Sequence, residues 1–196
     1  NEIRSGVLFQ AGNLADPVRI LCHAPWGDGT LYWDYGNISG NGRLSTNYSN
    51  YVNKWTHVAL VSEGRDGHFM GIYLDGVLVA QKAVSDGPGS PATRLNIGRN
   101  IGGTHYHFGT VDEFRVWNRV RSEQEIRRSM YHHLRGNESG LVCYYDFNIG
   151  KRGGDNTGKT LLPDLGSNKW HGTLNNFSLQ GTASNWVGSL EPDINR

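Results

Sequence analysis

Apolar and polar residues alternate over short stretches of this chain, and glycine-containing turn pairs break the alternation at close intervals. From Trp55 to Val61, Trp55, His57, Ala59 and Val61 fall on one face of an extended segment, with Val58 and Leu60 on the other. Both faces are largely apolar, as in a sheet covered on both sides. Similar runs predict strands over 6–10, 18–23, 30–35, 56–62, 69–74, 77–80, 94–97, 107–117 (with a bend at Gly109) and 141–147. Asp28-Gly29, Asn41-Gly42, Asp66-Gly67, Asp75-Gly76 and Asp86-Gly87 supply the positive φ that tight hairpins demand. One helix is predicted near residues 122–135. Ser122 and Glu125 have capping-box spacing, Ile126, Met130 and Leu134 recur every fourth residue, and Gly136 is a natural stop. The pattern specifies an all-β fold, a two-sheet antiparallel jelly-roll sandwich carrying one short α-helix.

Composition narrows the picture further. At 196 residues the chain suits one domain, residues 1–196, with a loop and tail over 148–196 expected to dock on the same body through Trp170, Leu174, Phe177 and Trp186. Nineteen Lys and Arg against eighteen Asp and Glu leave a net charge of +1, which argues against a phosphate-binding nucleic-acid protein or a polybasic membrane binder. No apolar run approaches the roughly 18 residues of a membrane span. A start at Asn1 without Met reads as a processed or excised segment, with other domains of a larger parent chain among the expected partners. Cys22 and Cys143 each lie in a strand-like run and are read either as buried thiols or as one disulfide. Four sequons, at Asn37, Asn47, Asn137 and Asn176, fit a secreted glycoprotein.

Several ordered segments carry a family resemblance. They are Trp55-Thr-His57-Val-Ala-Leu60, Ile72-Tyr-Leu-Asp75-Gly76-Val-Leu-Val79, Leu95-Asn-Ile97-Gly98, Gly109-Thr-Val-Asp112-Glu113-Phe-Arg115-Val-Trp117, Ser122-Glu-Gln-Glu125-Ile126 and Leu141-Val-Cys-Tyr-Tyr-Asp-Phe147. In this order they resemble the laminin-G-like, pentraxin-like branch of the concanavalin A-like lectin/glucanase superfamily. The stretch His23 to Asp34 is similar to a bacterial-type subgroup of such domains. The family usually opens on a further strand, for which nothing before Gly6 provides, so an N-terminal edge strand is expected to be missing. The resemblance implies a lectin-like fold and, near Asp112, a structural calcium ion.

Gly153 to Thr160 matches a P-loop expression, but Pro163 and Gly166 leave no room for the helix such a loop requires, so the match is read as coincidence. Glycoside hydrolysis needs two facing carboxyls, as on alternate positions of one strand. No strand carries that pattern, and adjacent Asp112 and Glu113 point to opposite faces, so a non-enzyme is expected. Asp112 lies in an apolar strand and needs compensation, from backbone amides, from Arg115 or Arg99, or from calcium. His105-Tyr-His107 and His132-His133 lack zinc-site spacing. The binding signal is the aromatic and polar set Trp26, Asp28, Tyr32, Trp33, Asp34, Tyr35 and Asn37 with His105, Tyr106 and His107. Aromatic faces stack on sugar C–H patches while polar groups take the hydroxyls. Tyr32 and Tyr35 lie on opposite strand faces, so part of this set belongs to the core. The resulting expectation is a non-catalytic module of an extracellular or cell-surface protein that binds a glycan or glycoprotein. The alternative is an adhesion domain making protein contacts without a sugar site.

Overall fold

The structure, a computed structural model, describes residues 3–12, 19–39, 41–64, 69–83, 87–88 and 91–187. The elements run β1 (Phe9–Gly12), β2 (Arg19–His23), β3 (Thr30–Gly36), β4 (Arg43–Asn47), a 3-10 turn (Ser49–Tyr51), β5 (Val58–Ser62), β6 (Met70–Leu74) and β7 (Val77–Lys82). They continue with β8 (Arg94–Ile97), β9 (Phe114–Trp117), α1 (Glu123–Ser129), β10 (Leu141–Tyr145), β11 (Leu161–Leu162) and β12 (Gly172–Thr173). The chain divides into two compact units, Asn1–Gly109 with Val120–Met130, and Thr110–Arg119 with Tyr131–Arg196.

The first unit holds an antiparallel sheet in the order β4-β3-β2-β1-β8 and a second in the order β5-β6-β7. Strand register sorts the five-stranded sheet into rows. Ile97, Phe9, Cys22, Trp33 and Leu44 are successive partners across one face. Cys22, Trp33 and Leu44 from that row form a core with Met70, Ile72 and Leu74 of β6. The next row, Asn96, Gln10, Leu21, Asp34 and Arg43, must project from the opposite face because side chains alternate along a strand.

The three-stranded sheet is covered on both sides, as its alternation predicts. Val58 and Leu60 pack on the main core, whereas Val61 and Tyr73 pack with Ile126 of α1. Every residue of β6 is therefore buried. Asp75 and Gly76 close the β6–β7 hairpin with φ of 49° and 75°. Gly76 is required twice over, because a Cβ there would also stand 2.7 Å from Arg127 Cγ. The capping box of α1 is fully made: Glu125 N donates to Ser122 Oγ at 3.3 Å and Ser122 N to Glu125 Oε2 at 2.9 Å.

Three expectations about elements need correction. Strand β4 was not predicted, because Arg43-Leu-Ser-Thr-Asn47 offers one apolar residue; as an edge strand it needs only Leu44 to anchor it. The helix stops with its C-cap at Met130, so Leu134 lies outside it and Gly136 does not end it. The segment read as a strand from residue 107 becomes one only at Phe114, since Glu113 takes a left-handed φ of 53°.

In the second unit β9 pairs with β10, and β11 with β12. Buried Asp164 organises the surrounding loops, accepting from Tyr144 N, Gly166 N and Trp170 N, each at 2.8 Å. Thr160 leads into β11, a strand, so the glycine-rich stretch before it does not open a helix. Trp186 is half-buried, its indole N–H donating to the Phe147 carbonyl. Trp170 and Phe177, expected to anchor the tail, are 59 % and 51 % exposed. Cys22 and Cys143 are both free and buried, which settles the open alternative in favour of thiols. Among the described residues no helix is long and apolar enough to cross a membrane.

Candidate functional site

The outward face of the five-stranded sheet forms the floor of a cleft of about 500 Å³. Gln10 of β1, Arg19, Leu21 and His23 of β2, Tyr32 of β3 and Arg43 of β4 line it from the strands. Trp26 and Asp28 of the β2–β3 turn, with Asn100 and His105 from the loop after β8, line it from above. The strand residues converge because Arg19, Leu21 and His23 alternate along one strand while register sets His23 opposite Tyr32 and Asp34 opposite Arg43.

Asp34 is the electrostatic centre of this floor. Its carboxylate is fully buried, a position that an ion tolerates only when paired and hydrogen-bonded. Arg43 grips it with two donors, Nε to Oδ1 at 2.6 Å and Nη2 to Oδ2 at 2.7 Å, and Arg19 Nε donates to Oδ2 at 2.9 Å. The Arg43 guanidinium also covers the Tyr32 ring, 4.7 Å from its centroid. The Tyr32 hydroxyl donates to Asp28 Oδ2 at 2.7 Å, and Thr30 N to Asp28 Oδ1 at 2.9 Å. The Tyr32 bond, ahead of the Thr30 amide, holds the Asp28 carboxyl below its ordinary range.

The aromatic wall is built from Trp26 between two histidines. His23 packs edge-on at 4.5 Å between ring centroids, and His105 lies at 5.1 Å. Burial pulls His23 down to about 4. Its Nδ1 is 3.3 Å from the Gly6 carbonyl, which only accepts, so the neutral ring carries its proton there. Asn100 shapes the opposite loop, its Oδ1 accepting from Thr104 N at 2.7 Å and its Nδ2 donating to Thr104 Oγ1 at 2.8 Å. Ile101 N donates to Gln10 Oε1 at 2.8 Å, which ties that loop to β1.

The predicted set is thus divided. Trp26, Asp28 and His105 meet in the cleft, with Asp34 beneath them and Tyr32 beside them. Trp33 and Tyr35 belong to the other face: Trp33 is 4 % exposed in the core, its indole N–H donating to the Val61 carbonyl at 3.4 Å, and Tyr35 packs against the same cluster. Asn37 is exposed in the β3–β4 turn, where its Oδ1 accepts from Ser39 N at 3.0 Å. Tyr106 is 44 % exposed and pairs with Arg99 in an isolated bridge outside the cleft lining. His107 is half-buried, and burial lowers it to about 4. Gln10, Arg19, His23, Arg43 and Asn100 were not anticipated. For Arg43 the signal was present, since an Asn41-Gly42 turn brings the strand after it back against Asp34.

Asp112 belongs to the second unit. Its Oδ1 accepts from Glu113 N at 2.9 Å. Among the described residues no group of three or more His, Cys, Asp or Glu side chains gathers as a metal shell would. Calcium takes six to eight oxygens, so an ion at Asp112 would draw on backbone carbonyls and water as well.

Two antiparallel sheets packed through Cys22, Trp33 and Leu44 on one and Met70, Ile72 and Leu74 on the other define a β-sandwich domain. A laminin-G-type profile described as the Concanavalin A-like lectin/glucanases superfamily matches residues 4–127, and the chain belongs to that superfamily. Among solved structures, a candidate carbohydrate-binding protein from Bacteroides ovatus is similar in fold, with a TM-score of 0.63 and 19 % identity over 94 % of this chain and 52 % of that one. This chain thus spans about half the length of that relative. An S-layer domain-containing protein from Clostridium thermocellum aligns with a TM-score of 0.35 at 17 % identity, over 66 % of this chain and 64 % of that one. No curated protein sequence matches significantly.

Proposed function

We propose that this chain is a non-catalytic glycan-binding module of a secreted or cell-surface protein. The observation that carries the reading is the cleft itself, where the half-buried Trp26 indole stands over a floor of convergent hydrogen-bonding groups. Such a combination of one apolar platform and a few oriented polar groups suits a sugar, whose faces are apolar and whose rim is hydroxylated. The carbohydrate-binding description of the Bacteroides ovatus structure, with which this chain shares its fold, points the same way.

The carboxylates of the cleft support a binding role over a hydrolytic one. Asp34 is held by both arginines and Asp28 by Tyr32 and Thr30, so neither is placed as a free acid or base. Trp26→Ala is expected to abolish binding on a glycan array while destabilising the fold less than truncation of the core Trp33 does. Affinity per site is expected on the order of 0.1–1 mM. Wild-type protein that binds no glycan, or a Trp26→Ala variant that binds as well as wild type, leaves the adhesion-domain alternative ahead.

A structural calcium at Asp112 remains a separate proposal, one that would draw most ligands from carbonyls and water. Chelator is expected to lower Tm and added calcium to restore it, because an ion that binds only the folded state stabilises it by mass action. Asp112→Asn should remove that dependence. Identical melting in chelator and in excess calcium rules the ion out.

A further inference from the structure

Neutralising the buried Asp34 carboxylate requires one cation, and the cleft floor supplies two. Arg43 alone engages both carboxylate oxygens, so Arg19 adds a second positive charge to a pair already satisfied. Both side chains remain about a third exposed, at 28 % and 31 % for Arg19 and Arg43, on the cleft side of the sheet. A guanidinium carries five donors, so each arginine keeps N–H groups beyond those spent on Asp34. Asp28 stands at the rim, its oxygens accepting from Tyr32 and Thr30 while each keeps a lone pair for a further sugar hydroxyl.

We infer that the cleft selects an acidic sugar, whose oxyanion is taken by the Arg19–Arg43 pair while its ring lies against Trp26. The inference rests on the glycan-binding reading and sharpens it from sugars in general to sugars bearing a carboxylate or sulfate. Asp34 acts here as a positioning residue. By fixing both guanidiniums before the ligand arrives, it removes the ordering cost that flexible arginines would otherwise incur on binding. Charge-assisted hydrogen bonds from planar forks then add orientation as well as strength.

The test compares uronic-acid oligosaccharides with their methyl esters, which keep the skeleton and lose the charge, alongside neutral and sulfated neutral oligosaccharides. The wild-type chain is expected to bind acids about ten-fold more tightly than the matched esters, with the gap narrowing as salt rises. Arg19→Gln, which leaves Arg43 bridging Asp34, should bring acids to the level of esters. Preference for uronates alone or sulfated sugars alone identifies which oxyanion is read. Equal affinity for acids and esters with no sulfate preference, or an Arg19→Gln variant that retains the acid preference, overturns the inference while the glycan-binding reading stands. Absence of binding to every sugar overturns both.

Discussion

Acidification from pH 7.5 to 4.5 is expected to cost the fold several kcal/mol through two buried histidines. His23 and His107 are both lowered to about 4, chiefly by burial, against an ordinary value near 6.5. Because the folded pKa lies below the unfolded one, the unfolded chain binds more protons throughout the interval between them. The stabilisation of the neutral rings is thus fully present above pH 6.5 and is lost progressively down to about pH 4. At roughly 1.4 kcal/mol per pKa unit, the two rings together are worth on the order of 5 kcal/mol, a large share of a typical domain's stability. Asp28, Asp155 and Glu138 are all held below their ordinary values, so what they contribute begins to be lost only as pH falls to those ordinary values. Urea midpoints at pH 7.5 and 4.5 measure the effect directly. A His23→Gln, His107→Gln double variant should lose most of the difference between the two pH values. Equal midpoints for wild type, or the same pH slope in the double variant, contradict the assignment.

Asp34→Asn is expected to destabilise the protein by about 3 kcal/mol at neutral pH. Breaking a buried pair by deleting one partner typically costs about 3–5 kcal/mol, because the remaining charge is stranded. Here two guanidiniums lose their common counter-ion, and the amide presents a donor to them in place of an acceptor. Their partial exposure lets water recover some of the loss, which places the estimate at the lower end. Arg19→Gln should cost distinctly less, since Arg43 still satisfies both oxygens of Asp34. Equilibrium unfolding of the two variants checks the order. An Asp34→Asn midpoint equal to wild type, or below wild type by no more than that of Arg19→Gln, removes Asp34 from the centre of the cleft.

Local chemistry accounts for what was legible in the sequence. Asp75-Gly76 adopts the positive φ values that the dipeptide favours, and the Ser122–Glu125 box closes as its spacing requires. Such features depend on residues a few positions apart, so nothing distant can rearrange them cheaply. The alternation of Val58 and Leu60 against Ala59 and Val61 was equally readable, because each face found an apolar partner. The helix end was not readable, since Met130 and Leu134 continue an apolar spacing beyond the point where the chain leaves the helix.

Packing between the two sheets selects the face of β3 that meets the core. Period-two alternation separates Trp33 and Tyr35 from Tyr32 and Asp34, yet both faces carry aromatics, and hydrophobicity alone does not rank them. Packing against Met70, Ile72 and Leu74 draws Trp33 inward and leaves Tyr32 to the cleft. The same choice sends Asp34 outward, where arginines 15 residues before it and 9 after it can converge on one carboxylate. Short-range sterics and hydrogen bonding set the Asp75-Gly76 turn and the start of the helix, which is why both were legible in the residues alone. The charged floor and the Trp26–His105 contact depended on long-range register and loop closure, which exist only once the sheet has assembled.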